Sequence, residues 1–246
     1  QFDTTLDVNL GETSGTFQGI SFSGLSVNGS LTYPPVADSG SARINVRQLQ
    51  YGAEIENIEA EFYLVTPSND NVTNDDVTND HIPGIHFRSL KGEFLGSNLR
   101  ADRFDFYPAT LEIAMNLHVE GLDIARIVEL QQLEGLKISG ILDGVLPVLI
   151  NGGEVSIEGG KFTNQPAGGM INYDIDPSVL ESLSNPLTDT VIKALTDFSY
   201  TVLTADVDYQ PDGELQVDFH IEGSSPNLEN GRPVHLNINS EQNVLS

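Results

Sequence analysis

The sequence predicts a mainly β protein: a long curved antiparallel sheet, its apolar inner face either closed over as a core or left open as a groove, with two short helical segments packing on or capping it. Three observations carry this. Leu111, Ile113, Met115, Leu117 and Val119 alternate with Glu112, Ala114, Asn116, His118 and Glu120, the period-two pattern of a half-buried strand. Leu203, Ala205, Val207 and Tyr209 face one way, and after Gln210-Pro211-Asp212-Gly213 so do Leu215, Val217, Phe219 and Ile221, which is a hairpin signal. Leu136 to Asp174 is a glycine-punctuated β stretch whose first half places Leu136, Ile138, Leu142, Leu146, Val148 and Ile150 on one face. The opposite face carries Ile141, Val145 and Leu149 beside Lys137, Ser139 and Asp143, so both faces ask for apolar cover.

Shorter strands are expected at 5–10, 16–22, 25–33, 42–50, 54–65, 86–95, 155–162 and 234–239, joined by turn residues, which makes an antiparallel meander the economical topology. Asn69–Asp80, with Val-Thr-Asn-Asp twice and almost nothing for a core, reads as a surface loop. Asp123 caps a helix over 124–133 that Gly135 stops. A second helical segment opens at Asp176-Pro177 and restarts at Asn185-Pro186, with Leu187, Val191, Leu195 and Phe198 on one face. These apolar helix faces are expected to cover one side of the two-faced strands. Met115–Gly121 (MNLHVEG) and Val217–Gly223 (VDFHIEG) echo each other without establishing a repeat.

Composition narrows the function classes. Eleven Lys plus Arg against 36 Asp plus Glu give a net charge of −25, which repels phosphate backbones, so nucleic acid is not an expected partner. There is no Cys, hence no thiolate catalysis, Cys-ligated zinc or disulfide. No apolar run reaches the length of a membrane span, and no signal-peptide pattern opens the chain. It starts at Gln1, so we expect a mature or excised piece of a longer protein, with any anchor upstream.

No residue pattern argues for catalysis. G-x-S-x-G and H-E-x-x-H are absent, and glycine pairs 152–153, 159–160 and 168–169 do not precede a helix as phosphate loops do. An enzyme is not expected, nor a cofactor. Asp70, Asp75, Asp76 and Asp80 offer oxygens to calcium, but their spacing fits no known calcium loop, and solvated acids are the plainer reading. His118, His220 and His235 fall on polar strand faces and read as solvent-facing. Asn28 and Asn71 open N-x-[ST] sequons, a pattern common by chance.

The order of segments in the second half resembles the YdbH-like family, a branch of the AsmA and TamB superfamily of bacterial envelope proteins. The resemblance rests on Gly121-Leu122-Asp123 through Leu130, Gly135, and Gly140-Ile141-Leu142-Asp143-Gly144-Val145-Leu146-Pro147. It continues through Gly152-Gly153, Gly159-Gly160, Gly168 to Tyr173, and Ala194-Leu195 to Tyr200. Asp212 to Leu215, Glu222 to Asn227 and Arg232 to Asn237 complete it, so that 111–244 is covered. Residues before about 111 match only in β character. The resemblance implies a long periplasmic protein, anchored at its N-terminus in the inner membrane, whose sheet curls into an open groove, of the kind called a β-taco, that carries phospholipid toward the outer membrane. Some descriptions of the family use the label dicarboxylate transport. No catalytic residue carries over.

The expected organisation is one elongated β domain over 1–246: an N-terminal meander over 1–110 with the loop 66–82, then the family-like region 111–246. Phospholipid acyl chains are the expected ligand, and an outer-membrane or periplasmic protein a further partner. The expected lining is Ile113, Met115 and Leu117, with Leu142, Leu146, Val148 and Ile150, and Val155 and Ile157. Leu187, Val191, Leu195 and Phe198 are expected to cap the groove. The alternative is a calcium-dependent or protein-binding adhesion module with a closed core, working through Asn69–Asp80.

Overall fold

A computed structural model describes residues 4–17, 19–33, 35, 40–51, 53–65, 83–132, 135–174, 195–228 and 231–244. The first half contains β1 (Thr4–Phe17), β2 (Ile20–Tyr33), β3 (Gly40–Tyr51), β4 (Ala53–Val65), β5 (Gly84–Phe94), β6 (Ser97–Ala101) and β7 (Phe104–Tyr107). β8 (Glu112–Asp123) leads into helix α1 (Ile124–Leu130), then β9 (Leu136–Ser139), β10 (Ile141–Asn151), β11 (Glu154–Asn164) and β12 (Gly169–Tyr173). β13 (Phe198–Tyr209), β14 (Glu214–Ser224) and β15 (Pro233–Asn243) complete the described elements.

All fifteen strands belong to one antiparallel sheet. It is a meander in which three ribs are broken in two: β6 and β7 both lie between β5 and β8, while β9 and β10 pair with β12 and β11 respectively, and these both pair with β13. β1, β9 and β15 each have one partner among the described strands and form edges.

The expected hairpin appears, and its two predicted faces coincide: Leu203 pairs with Ile221, Ala205 with Phe219, Val207 with Val217 and Tyr209 with Leu215. The N-terminal segmentation differs from expectation. Residues 5–10 and 16–22 are not separate strands; β1 runs to Phe17 and the chain reverses before Ile20. Glycines 11, 15 and 24, which look like strand breakers, lie inside long strands, where ladder bonds from β2 and β3 outweigh their low β propensity. Phe198 was expected to be helical but begins β13, because pairing with Ile171 of β12 recruits the aromatic and β-branched run that follows it. The segment 175–194, including most of that helical pattern, lies outside the described residues.

The sheet bends where strands carry an extra residue. Gly24, Asn57, Gly121 and Gly159 have positive φ inside strands, each at a register shift against a neighbour. Such bulges increase twist and turn a strand. Three of the bulge amides donate to a neighbouring strand's side chain: Gly24 to Ser14 Oγ at 3.3 Å, Gly121 to Asp143 Oδ1 at 2.8 Å and Gly159 to Asp208 Oδ1 at 2.7 Å. The bends are therefore hydrogen-bonded features rather than defects. With no second sheet among the described residues, Leu31, Ala42 and Phe62 are nonetheless buried together with Val27, Ile44 and Phe87 around them. A flat single layer leaves such side chains in water; a curled one lets them cover one another.

The larger core lies toward the end of the strands nearest α1. It joins Leu99, Val119, Leu122, Ile124, Leu142, Ile171, Phe198, Tyr200, Leu203 and Ile221. Asp123 caps α1 by accepting from the Ala125 amide at 3.0 Å, as its sequence predicts. Tyr200 donates its hydroxyl to the Ser139 carbonyl at 2.7 Å, tying β13 to β9 across β12. Burial raises the pKa of that phenol, with a smaller contribution from Asp123.

Candidate functional site

Cross-strand pairing assembles the predicted lining into rows. Ile113 faces Ile150, which faces Val155; Met115 faces Val148, which faces Ile157; Leu117 faces Leu146. These eight residues come from β8, β10 and β11 and share one face, because partners directly opposite in an antiparallel ladder point the same way. The rows continue on both sides, through Phe106 opposite Ile113 and through Tyr209 and Leu215 beyond Ile157. All but Val148 are half-buried. Gly160 leaves room for Leu146, since a Cβ there would meet the Leu146 side chain at 2.7 Å.

Leu142 differs from the other predicted lining residues. It is only 3% exposed, lies opposite Leu122, and belongs to the larger closed core. Of the predicted cap, Leu187 and Val191 lie outside the described residues. Leu195 packs against the same core, and Phe198 is completely buried within it. Sequence periodicity leaves open which face a helix would cover. α1 takes the lining face at its end, since Ile124 and Ile127 pack with Leu136, Ile138 and Leu142. The odd-numbered face of β10 has no such layer among the described residues; its Leu149 is 45% exposed.

The reverse face is charged and hydrogen-bonded. Arg88 bonds Glu61 at 3.0 Å and lies over the Tyr63 ring, and His86 Nδ1 stands 2.6 Å from Asp105. Arg100 bridges Asp102 at 2.7 Å and Glu120 at 3.4 Å, and Lys161 meets Asp206 at 3.2 Å. One face of the sheet thus offers apolar contact, and the other pairs Arg88, Arg100 and Lys161 with carboxylates.

His118, His220 and His235 do lie on this polar face, but only two come together. His118 Nε2 is 3.5 Å from Asp102 on the β6–β7 rib's connection. His220 and His235 share Glu222: its Oε1 is 3.1 Å from His220 Nε2 and 3.4 Å from His235 Nδ1. Hydrogen bonds to Asn237 and then to Glu222 raise the His220 pKa, and the bond from His220 lowers that of Glu222. The H-x-E spacing places both side chains on one face and was visible in the sequence. Only the β14–β15 register brings His235 beside them. Asp70, Asp75, Asp76 and Asp80 lie outside the described residues.

Among the described residues no helix is long and apolar enough to cross a membrane. No curated protein and no solved structure matches the chain significantly. The model of the YdbH-like family, described as the intermembrane phospholipid transport protein YdbH, matches residues 2–246. The match takes in the N-terminal half, where the sequence resemblance stopped at β character. A bulged meander with one apolar face therefore extends across a region matched by a single family model, and the chain belongs to the YdbH-like family.

Proposed function

We propose that this chain is a segment of a bridge-like conduit that binds phospholipid by its acyl chains and passes it between the inner and outer membranes. The observation that carries the proposal is the set of cross-strand rows: apolar side chains on a single-layer sheet, half-covered, with a charged face behind them. An acyl chain lying along a row gains about 0.8 kcal/mol per buried methylene. Its headgroup stays in water at the rim. Movement along the rows needs no chemistry, since successive strands, about 4.8 Å apart, present equivalent apolar surface. The family is one of lipid transport and supports a reading without catalysis. We place the segment in the periplasm, with an outer-membrane or periplasmic protein as a further partner and with the closed core around Phe198 capping one side of the groove.

The test is a photo-crosslinking amino acid at Met115, on the apolar face, against one at Asn116, on the reverse face, with native mass spectrometry and lipid extraction of the same preparations. Phospholipid crosslinked at 115 and not at 116 is the expected result. Equal labelling at both, or purified protein that carries no lipid after expression in a phospholipid-replete host, overturns it.

A further inference from the structure

We propose that the outer face of the β14–β15 hairpin holds a divalent transition-metal ion of the zinc class, ligated by His220, Glu222 and His235 and oriented by Asn237.

The three donor atoms lie within 4.8 Å of one another, and two of the separations, 3.1 and 3.4 Å, already match a coordination shell. A tetrahedral ion with ligands at 2.0–2.1 Å holds them about 3.4 Å apart. The remaining histidine–histidine separation, no more than 4.8 Å, closes by rotation of the exposed His235 side chain. Two imidazoles with one carboxylate select zinc, copper, nickel or cobalt over calcium or magnesium, which prefer all-oxygen shells.

Asn237 supplies orientation. Its Oδ1 lies 2.8 Å from His220 Nδ1, so that nitrogen donates its hydrogen and Nε2 is the one presented to Glu222 and to an ion. Binding an ion at Nε2 displaces the proton that otherwise bridges to Glu222, and the proton leaves to solvent. Among the described residues no Lys or Arg stands directly opposite either side chain: the register partners of His220 are Thr204 and Asn237, and those of Glu222 are Val202 and His235.

The second H-x-E of the chain is an internal control. His118-Val119-Glu120 on β8 has Arg100 opposite His118, and the guanidinium bonds both Glu120 and Asp102. There the positive partner is a permanent side chain. On β14 the corresponding place is taken by an imidazole, which exchanges proton for metal. Because β15 pairs only with β14, an ion held by both strands fastens the sheet's edge strand to its neighbour.

The experiment is calorimetric titration of zinc chloride into chelator-treated, dialysed protein, with histidine NMR of the unmutated protein and amide hydrogen exchange of β15. One zinc per chain is expected, with affinity reduced at least tenfold in His220→Gln and in His235→Gln and unchanged in His118→Gln. Asn237→Ala retains the stoichiometry and loses about tenfold in affinity. Zinc shifts the His220 and His235 resonances but not His118, and slows exchange along 233–243, whereas calcium does neither. Zinc binding that survives His235→Gln, zinc that shifts His118 equally, or the absence of zinc binding overturns the proposal.

Discussion

The apolar face of this sheet is covered at one end and open along much of the rest, although both regions use the same strands and the same kinds of residue. At the closed end Phe198 and Leu203 are fully buried and Leu122 and Leu142 nearly so. Along the rows of Ile113 and Met115, side chains of equal hydrophobicity stay half-exposed, Val148 apart, and the row of Leu117 and Leu146 marks the border, half-buried but packed against the closed core. Cover makes the difference. α1 and the short pair β9–β12 fold onto the first region, and no described element folds onto the second. Hydrophobicity alone therefore does not separate core from binding surface in a single-layer sheet.

Mutations at the two regions should separate them. Phe198→Ala has the largest expected effect, a loss of about 3–5 kcal/mol of stability from the cavity it leaves, read by denaturant unfolding. If it costs no more than a surface substitution, the closed end is not the core. Met115→Ala on the open rows should cost only about 1 kcal/mol, because a half-buried side chain loses half the burial, yet it should lower the amount of phospholipid co-purified. A Met115→Ala protein with full lipid occupancy and a large stability loss would invert the comparison. Tyr200→Phe keeps the ring and removes the hydroxyl's bond to Ser139, an expected loss of about 1 kcal/mol at the closed end with lipid binding unaltered. Asp143→Ala, which strips the acceptor from the Gly121 bulge, should cost about 0.5–1.5 kcal/mol and loosen amide protection around 119–123.

The smallest effect concerns pH, on the reverse face. The His220 pKa is raised, so its contribution is complete below the ordinary histidine value and fades as pH rises through the folded-state value. The Glu222 pKa is lowered, so its contribution is complete above the ordinary carboxylate value and fades as pH falls through the folded-state value. In metal-free protein the pair contributes fully between about pH 4.3 and 6.5. Glu222→Gln should bring the NMR titration midpoint of His220 down toward that of an unstructured histidine; a midpoint that does not move would show that Glu222 has no part in it.

Strand identity was legible wherever the two faces contrast sharply. β8 and the β13–β14 hairpin follow directly from alternation, with the predicted faces meeting in four cross-strand pairs. The short pieces β6 and β7 were missed, and β12 was read only as part of the β stretch 136–174, because four or five residues between glycines and charges carry too little periodicity. Eight of nine predicted lining residues fall into rows, since alternation on β8, β10 and β11 alone places them on a face. Leu142 joins the closed core for a reason remote in sequence: Leu122 and Ile171 arrive beside it from other strands.

The sequence by itself determined the β class, the apolar face, the acidic exterior, the helix cap at Asp123 and the family likeness of the second half, because each depends on neighbours a few residues apart. Tertiary structure alone decided which stretch of that face is closed, where the bulges bend the sheet, and which histidines meet. Those outcomes depend on register between distant strands. One bulge such as Gly121 shifts the partners of every residue beyond it, and no local pattern records the sum of such shifts across the sheet.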